Sequence, residues 1–201
     1  MRKRVPDVVV FRLAAYRRAL REFPADREHI SSGALADLTG YSAAQVRKDL
    51  SLFGQFGQPG VGYSVAELER ELVRIFGLDR ERRVALVGVG NLGLALLAYD
   101  GFREAGLRIV AAFDVNPEKV GKLFSGVLVR HSDELARAVA AEAVELAMIA
   151  VPAAAAQEVV DGAVRGGIKG VLNFAPAVVR VPGRVMLRSI HLGAELERLS
   201  C

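Results

Sequence analysis

Three glycines and one aspartate have the types and spacing of a dinucleotide-binding site. An apolar run at residues 84–87 is followed by the pattern G-x-G-x-x-G. After a strand, the first glycine permits a tight turn, the second admits a pyrophosphate close to the backbone, and the third lets a helix pack on the sheet. The helix start would favour the phosphates. The predicted loop comprises Gly88, Val89, Gly90, Asn91, Leu92 and Gly93.

Asp114 ends the next apolar run, 21 positions after Gly93, and Val115 follows it. A carboxylate there can accept hydrogen bonds from the adenosine ribose and would repel a 2′-phosphate, so the sequence favours NAD(H) over NADP(H). Lys119 lessens that preference. The alternative is a glycine turn in an α/β domain that binds no nucleotide.

A second set of residues suits DNA. Apolar residues recur at positions i, i+4 and i+7 of a predicted helix that ends near Phe53, and these should face the core: Val46, Leu50 and Phe53. Basic residues on the opposite face can bind phosphates or guanine edges, and short polar ones can contact bases. That face carries Gln45, Arg47, Lys48 and Ser51. The alternative is a solvated basic helix in a protein–protein module.

The elements around this helix predict a winged helix-turn-helix. Pro6 opens a first helix, Ser31 or Ser32 caps a second, Gly40 makes a sharp turn, and Ser42 caps the third. Four glycines then alternate with residues of strand character, which predicts a wing. The wing contains Gly54, Phe56, Gly57, Gly60, Val61, Gly62 and Tyr63. A capping box at residues 64–67 starts a further helix, which stops near Gly77.

The second half alternates strands and helices, which predicts a Rossmann-like α/β domain with a parallel sheet covered on both faces. Strands are predicted at residues 84–88, 108–113, 127–130, 146–151, 170–174 and 185–187. Helices are predicted at residues 91–105, 133–141 and 153–166. Ser189 opens a last segment with a helical stripe of Leu192, Leu196 and Leu199. We therefore expect domains at residues 1–78 and 79–186, with a C-terminal dimerisation helix at 187–201.

Composition excludes several classes of function. The chain has 201 residues, 52% of them hydrophobic and 25% charged, with a net charge of +4. No apolar run reaches the roughly 18 residues of a membrane span, and no secretory segment is evident, so a cytoplasmic protein is expected. The lone Cys201 allows no internal disulfide, and the three histidines are scattered. No catalytic or metal-binding constellation is evident.

Positive charge is concentrated at the N-terminal end, as phosphate contact requires. Residues 1–21 contain the single acid Asp7 and the basic residues Arg2, Lys3, Arg4, Arg12, Arg17, Arg18 and Arg21. On charge alone, a solvated helix face is the favoured interpretation of this run.

Motifs along nearly the whole chain resemble the Rex family of redox-sensing transcriptional repressors. The resemblance rests on Arg12-Leu13…Tyr16, residues 45–54, Gly60-Val61-Gly62-Tyr63, residues 88–93, Phe113-Asp114-Val115, Gly167-Ile168-Lys169-Gly170 and Asn173-Phe174-Ala175-Pro176. It implies a homodimer whose C-terminal helix is swapped onto the partner. It also implies binding to an AT-rich inverted repeat in double-stranded DNA, with release by NADH.

The resemblance assigns further roles. Tyr99 would lie by the nicotinamide, with Pro152, Phe174 and Pro176 lining the pocket. In the wing, Gly60 and Tyr63 would meet DNA beside the recognition helix. Arg18 would be a switch residue that pairs across domains or chains.

Two positions depart from the family pattern. Gln58-Pro59 occupies the place of a basic wing residue, which predicts weaker binding or a different preference. His191 stands where the family has an aspartate that pairs with the Arg18 position, and a protonated histidine would repel Arg18. These two departures keep open a cofactor-blind AT-rich DNA-binding protein. The glycine pattern keeps open two further alternatives, a small NAD-dependent oxidoreductase and a module resembling the CoA-binding domain of acyl-CoA ligases.

Overall fold

The chain forms two compact units, Met1–Asp79 and Arg80–Cys201. The computed structural model describes residues 6–24, 26–54 and 57–200. Several residues used in the sequence analysis lie outside these ranges, namely Arg2, Lys3, Arg4, Phe56 and Cys201.

The first unit is a winged helix. Its helices are α1 (Asp7–Glu22), α2 (Ser32–Thr39), α3 (Ala43–Ser51) and α4 (Val65–Phe76). Its strands are β1 (His29–Ile30), β2 (Gly57–Gln58) and β3 (Gly62–Ser64). They pair antiparallel in the order β1-β3-β2, so β2 and β3 form the wing.

Local sequence signals account for most of these helix ends. The hydroxyls of Ser31, Ser42 and Ser64 accept hydrogen bonds from backbone N–H groups three residues further on, at 3.0, 3.2 and 3.4 Å. Each satisfies a donor that the first turn leaves unpaired. Gly40 ends α2 with φ of 74°, a conformation that favours glycine. The predicted helix starts are confirmed, but α3 ends two residues before Phe53.

The second unit is built on one sheet. Its strands are β4 (Arg82–Val87), β5 (Leu107–Asp114), β6 (Leu123–Phe124), β7 (Val127–His131), β8 (Leu146–Ile149), β9 (Gly170–Asn173) and β10 (Met186–Ser189). The order is β10-β9-β8-β4-β5-β7-β6. Without the short antiparallel β6, the parallel strands in chain order are arranged 3-2-1-4-5-6, the dinucleotide-binding arrangement. The crevice between β4 and β8, where the order reverses, is the expected ligand position.

Helices cover both faces of this sheet, as predicted. They are α5 (Asn91–Leu97), α6 (Gly101–Glu104), α7 (Leu135–Ala141) and α8 (Ala156–Gly166). A last helix, α9 (Leu192–Glu197), follows β10, and all of its residues are exposed. On one face, Val87 belongs to a core cluster with Leu135 of α7 and Val160 of α8. On the other, Leu86 packs with Leu96 and Phe102 from α5 and α6. Alternate residues of β4 therefore serve the two faces.

Two predicted elements are wrong. The single helix predicted at 91–105 is broken between α5 and α6, where Asp100-Gly101 has low helix propensity. The ring of Tyr99 lies against Gly101, where a β-carbon would collide with it. Ser189 does not open the last helix. It ends β10, and His191 is the residue before α9.

Candidate dinucleotide site and nucleic-acid interface

The three glycines of the loop have two different roles. Gly88 and Gly93 are buried, and a β-carbon on either would collide with backbone: with Ala150 for Gly88, and with Gly88 itself for Gly93. Gly88 also has φ of 93°, which favours glycine. Gly90 is exposed, and nothing lies within 4 Å of the position its β-carbon would take. The fold thus requires the first and third glycines, while the second leaves open space beside the backbone.

Asp114 is joined to this loop. Its Oδ2 accepts a hydrogen bond from the Val89 N–H at 2.8 Å, and its Oδ1 accepts one from the Asn116 N–H at 2.8 Å. The Lys119 ammonium lies 3.7 Å from Oδ2. Burial alone would raise the pKa of Asp114, but the two backbone donors and Lys119 lower it below its ordinary value. The group is therefore an ionised acceptor at the edge of the glycine loop.

A cavity of about 280 Å³ opens next to Asp114, between α7 and α8. Its lining residues are Val115, Ser132, Asp133, Leu135, Ala136, Ala155, Glu158, Val159, Gly162 and Arg165. A cavity whose lining combines apolar and polar groups can accept a flat heteroaromatic base. Of these residues, the sequence predicted only Val115, because the others come from helices whose packing is set by tertiary structure.

Three other predicted cofactor residues lie in the loops after β8 and β9, at the carboxyl edge that also carries Gly88 and Asp114. Pro152 and Pro176 are exposed, and Phe174 is half-buried. The buried Asn173 holds the second loop. Its Nδ2 donates to the Ala177 carbonyl at 3.1 Å, and its Oδ1 accepts from the Ala175 N–H at 3.0 Å. Asn173 was not predicted as a site residue.

Tyr99 is placed differently. It is 61% exposed just beyond the end of α5, and its ring meets Phe102 edge-on at 5.0 Å. Eight residues of helical rise from Asn91 amount to roughly 12 Å along the axis. Leu92, in the first turn of α5, is 36% exposed, while Val89 is fully buried. The structure groups these loop residues with Asp114, and the role of Tyr99 stays a prediction.

In the first unit, α3 presents the predicted basic face. Arg47, Lys48 and Ser51 are exposed, whereas Val46 and Leu50 are buried. A cleft of about 680 Å³ runs between α3 and the wing. Its lining includes Ser31, Ser32, Arg47, Ser51, Gln58, Pro59, Gly60 and Tyr63. Arg47 donates to the Ser32 hydroxyl at 2.9 Å, which holds the cation over the cleft.

Two predicted DNA contacts are less available than the sequence suggested. Tyr63 is only 8% exposed, because its ring packs in the core of the winged helix and against Gly57. Gln45 is half-buried, and its amide nitrogen donates to Asp49 at 2.7 Å. Gly60 is exposed at the wing turn, with φ of 80°.

A buried carboxylate lies on the core-facing side of the recognition helix α3. Asp49 is 1% exposed and accepts four hydrogen bonds. Arg12 donates from Nε at 2.5 Å and from Nη2 at 2.7 Å, and the Tyr16 hydroxyl donates at 2.9 Å. Burial alone would raise the pKa of Asp49, yet the bonds from Arg12, Tyr16 and Gln45 lower it. Asp49 was not predicted as a functional residue, although it lies on the same helical face as Val46 and Leu50.

The two predicted switch residues are both on the surface. Arg18 is exposed on α1, and His191 is exposed at the start of α9. Over the residues that the structure describes, no group of three or more His, Cys, Asp or Glu side chains could hold a metal ion. In the same part of the chain, none of the helices combines the length and the apolar character needed to cross a bilayer.

Two known families match separate parts of the chain. The family described as "CoA binding domain" matches residues 79–177. The family described as "Putative DNA-binding protein N-terminus" matches residues 4–51.

Relatives that match nearly the whole chain contain both of these regions. The redox-sensing transcriptional repressor Rex of Desulfitobacterium hafniense is 44% identical over 200 residues, covering 98% of this chain and 94% of that protein. The repressor of the same name from Roseiflexus sp. is 46% identical, covering 97% of this chain and 89% of that protein.

Solved structures agree over the same span. The crystal structure of RSP in complex with beta-NAD+ and operator DNA is similar with a TM-score of 0.92 and 36% identity, covering 98% of this chain and 91% of that one. RSP in complex with beta-NADH gives a TM-score of 0.88 and 34% identity, covering 99% and 94%.

Proposed function

Because the chain belongs to the Rex family, we propose that it is a transcriptional repressor that senses the NADH/NAD⁺ ratio. It binds an AT-rich inverted repeat as a homodimer and leaves it when NADH binds. One observation carries this most strongly: a single chain holds an exposed basic recognition helix and a glycine loop joined to Asp114 on a 3-2-1-4-5-6 sheet.

The DNA half of the proposal uses the face of α3. Arg47 and Lys48 bind phosphates or guanine edges, and Gln45 and Ser51 contact bases. Gly60 brings the wing backbone close to the duplex. Tyr63 supports the wing from its buried position, because little of its surface is free to contact DNA.

The cofactor half places NAD(H) across the carboxyl edge of the sheet. Residues 88–93 take the pyrophosphate, Asp114 binds the adenosine ribose, and the adenine enters the cavity behind Val115. Bound NADH would supply a neutral dihydronicotinamide in place of the charged ring of NAD⁺. The nicotinamide pocket distinguishes these two forms. It is formed by Pro152, Phe174 and Pro176, with Tyr99.

The coupling is a population shift between two arrangements. Only one arrangement spaces two recognition helices about one DNA turn, or a multiple of it, apart. NADH must bind the other arrangement more tightly, because a ligand that binds both arrangements equally does not shift the equilibrium between them. Arg18 and the region of His191 take part in this switch.

Dimerisation uses the C-terminal segment. Leu192, Leu196 and Leu199 are 59%, 69% and 84% exposed, which is unusual for a regularly spaced leucine stripe. A second chain covers this stripe in the homodimer, in the way that the family's swapped helix does.

We propose that the protein is not an enzyme and that it acts in the cytoplasm, where its operator is. The named relatives are transcriptional repressors, and none of their names gives a catalytic activity. The match to the CoA-binding family favours CoA as a second candidate ligand. The 3′-phosphate of CoA would meet the ionised Asp114, so NAD(H) is favoured.

The test is fluorescence anisotropy of an AT-rich inverted-repeat duplex, titrated with the full chain at fixed salt without cofactor, with NAD⁺, with NADH and with CoA. Fixed salt is needed because phosphate contacts make affinity salt-dependent. Binding that NADH alone weakens supports the proposal. Indifference to NADH supports a cofactor-blind DNA-binding protein, and weakening by CoA alone supports the CoA module. Turnover of NADH with a small carbonyl would revive the oxidoreductase.

A further inference from the structure

The hydrogen-bond pattern around Asp49 fixes the orientation of one predicted base-reading side chain. Gln45 and Asp49 are one helical turn apart on α3, and the Gln45 Nε2 donates to Asp49 Oδ1 at 2.7 Å. A flipped amide would place its oxygen against a carboxylate oxygen, where neither has a proton to share. The nitrogen therefore faces Asp49.

Asp49 itself has no freedom to move. Its carboxylate accepts two bonds at Oδ2, from Arg12 Nε and the Tyr16 hydroxyl, and two at Oδ1, from Arg12 Nη2 and Gln45. Its four acceptor positions are thereby used. Tyr16 is fully buried, and its ring meets Tyr41 edge-on at 5.9 Å. The Asp49 carboxylate is therefore held in a fixed position by side chains of the packed core.

We infer that Asp49 is a positioning residue that sets the amide orientation of Gln45 and thereby the base preference of the recognition helix. With one Nε2 proton held by Asp49, Gln45 retains its Oε1 and one N–H for a partner. An adjacent acceptor and donor match the N6 and N7 atoms of adenine in the major groove. Arg12 holds the Asp49 carboxylate in place through two hydrogen bonds. This inference rests on the proposed DNA-binding function.

The experiment compares five full-length proteins by selecting from a duplex library of inverted repeats with randomised half-sites. The proteins are the wild type, Gln45→Ala, Asp49→Asn, Tyr16→Phe and the Gln45→Ala/Asp49→Asn double variant. Gln45→Ala should lower discrimination at one base pair of each half-site by roughly 5- to 150-fold, the range of a lost bidentate contact. Asp49→Asn should lower discrimination at that same base pair. The Gln45→Ala/Asp49→Asn double variant should discriminate no worse there than Gln45→Ala alone.

Tyr16→Phe is the matched control. It removes a buried bond to Oδ2 and leaves the Oδ1 bond to Gln45 in place. It should lower thermal stability and affinity for all sequences equally, with base preferences unchanged. If Asp49→Asn behaves like Tyr16→Phe, Asp49 is only structural and the inference is overturned. A wild type with no base preference at all would instead overturn the proposed function.

A second measurement covers the case in which Asp49→Asn does not fold. In the ¹⁵N-labelled wild type, assigned by loss of its signals in Gln45→Ala, the two Gln45 amide protons should be well separated in chemical shift and exchange slowly with solvent. Shifts and exchange equal to those of an exposed glutamine such as Gln58 would contradict the inference.

Discussion

Asp114 Oδ2 accepts a hydrogen bond from the Val89 N–H at 2.8 Å, so the carboxylate proposed to bind ribose also holds the glycine loop. Each carboxylate oxygen can accept a second bond, which leaves room for a ribose hydroxyl. The loop and the ribose acid are therefore one unit, and cofactor binding uses an acceptor that is already oriented.

Replacing Asp114 by alanine should weaken NADH binding by roughly 10- to 100-fold, because charge-assisted bonds to the ribose and the support of the loop are both lost. Operator binding without cofactor should be unchanged, since α3 and the wing belong to the other unit. Titration of NADH fluorescence measures the first quantity, and duplex anisotropy the second. Asp161→Ala, an exposed aspartate on α8, is the control and should match the wild type. Loss of operator binding in Asp114→Ala would show that the fold had failed.

Gly90→Ala and Gly93→Ala should have opposite consequences. A methyl group on Gly90 enters open space, so the variant should melt like the wild type yet bind NADH at least about 10-fold more weakly. A methyl group on Gly93 collides with the Gly88 carbonyl, so that variant should lose about 1–3 kcal/mol of stability. Thermal melts and NADH titrations of both proteins separate the two effects. Unchanged NADH affinity in Gly90→Ala would mean that the pyrophosphate does not lie there.

His191→Asp should strengthen the NADH response. An aspartate restores the partner that the family resemblance assigns to Arg18, so NADH should lower operator affinity about 5-fold more than in the wild type. Anisotropy titrations with and without NADH give this ratio. The gain should disappear when Arg18→Ala is added. A gain that persists in the double variant would show that aspartate acts without Arg18.

Glu145 should make stability depend on pH well below neutrality. It is 6% exposed and accepts bonds from Arg80 at 2.8 Å, Arg82 at 2.8 Å and Lys169 at 3.0 Å. Burial alone would raise its pKa, but these cations lower it from 4.5 to about 2. A depressed carboxyl pKa stabilises the fold above the unfolded value, and this stability is lost as pH falls from 4.5 toward 2.

The expected loss over that interval is about 2–3 kcal/mol, because solvent partly screens the exposed Arg80 and Lys169. Urea unfolding of wild type and Glu145→Gln, followed by circular dichroism at a series of pH values, should show the difference between them shrinking as pH falls. Glu118→Gln, at an exposed glutamate, should follow the wild type. A difference that is constant across this pH range would mean that ionised Glu145 contributes nothing.

Sequence patterns anticipated the features that are set locally. Ser42 and Ser64 cap helices because their hydroxyls reach N–H groups three residues away, and Asp114 ends its strand because an apolar run stops there. Strand order could not be predicted from spacing, since the reversal beside β4 depends on how the crossovers pack.

The unpredicted features involve partners distant in sequence. Asp49 interacts with Arg12, 37 positions away, and helical periodicity does not indicate such a partner. The cavity beside Val115 depends on α7 and α8 lying side by side. The burial of Tyr63 depends on Gly57 leaving space for its ring. Each of these features depends on packing between helices and strands, which local sequence signals do not specify.

The most direct test of the coupling is the affinity of the full chain for NADH, measured by fluorescence with and without saturating AT-rich inverted-repeat duplex. Linkage requires DNA to weaken NADH binding by the same factor by which NADH weakens DNA binding. We predict equal factors of about 5- to 150-fold, with a much smaller effect for NAD⁺. An NADH affinity that the duplex leaves unchanged would contradict a redox-sensing repressor.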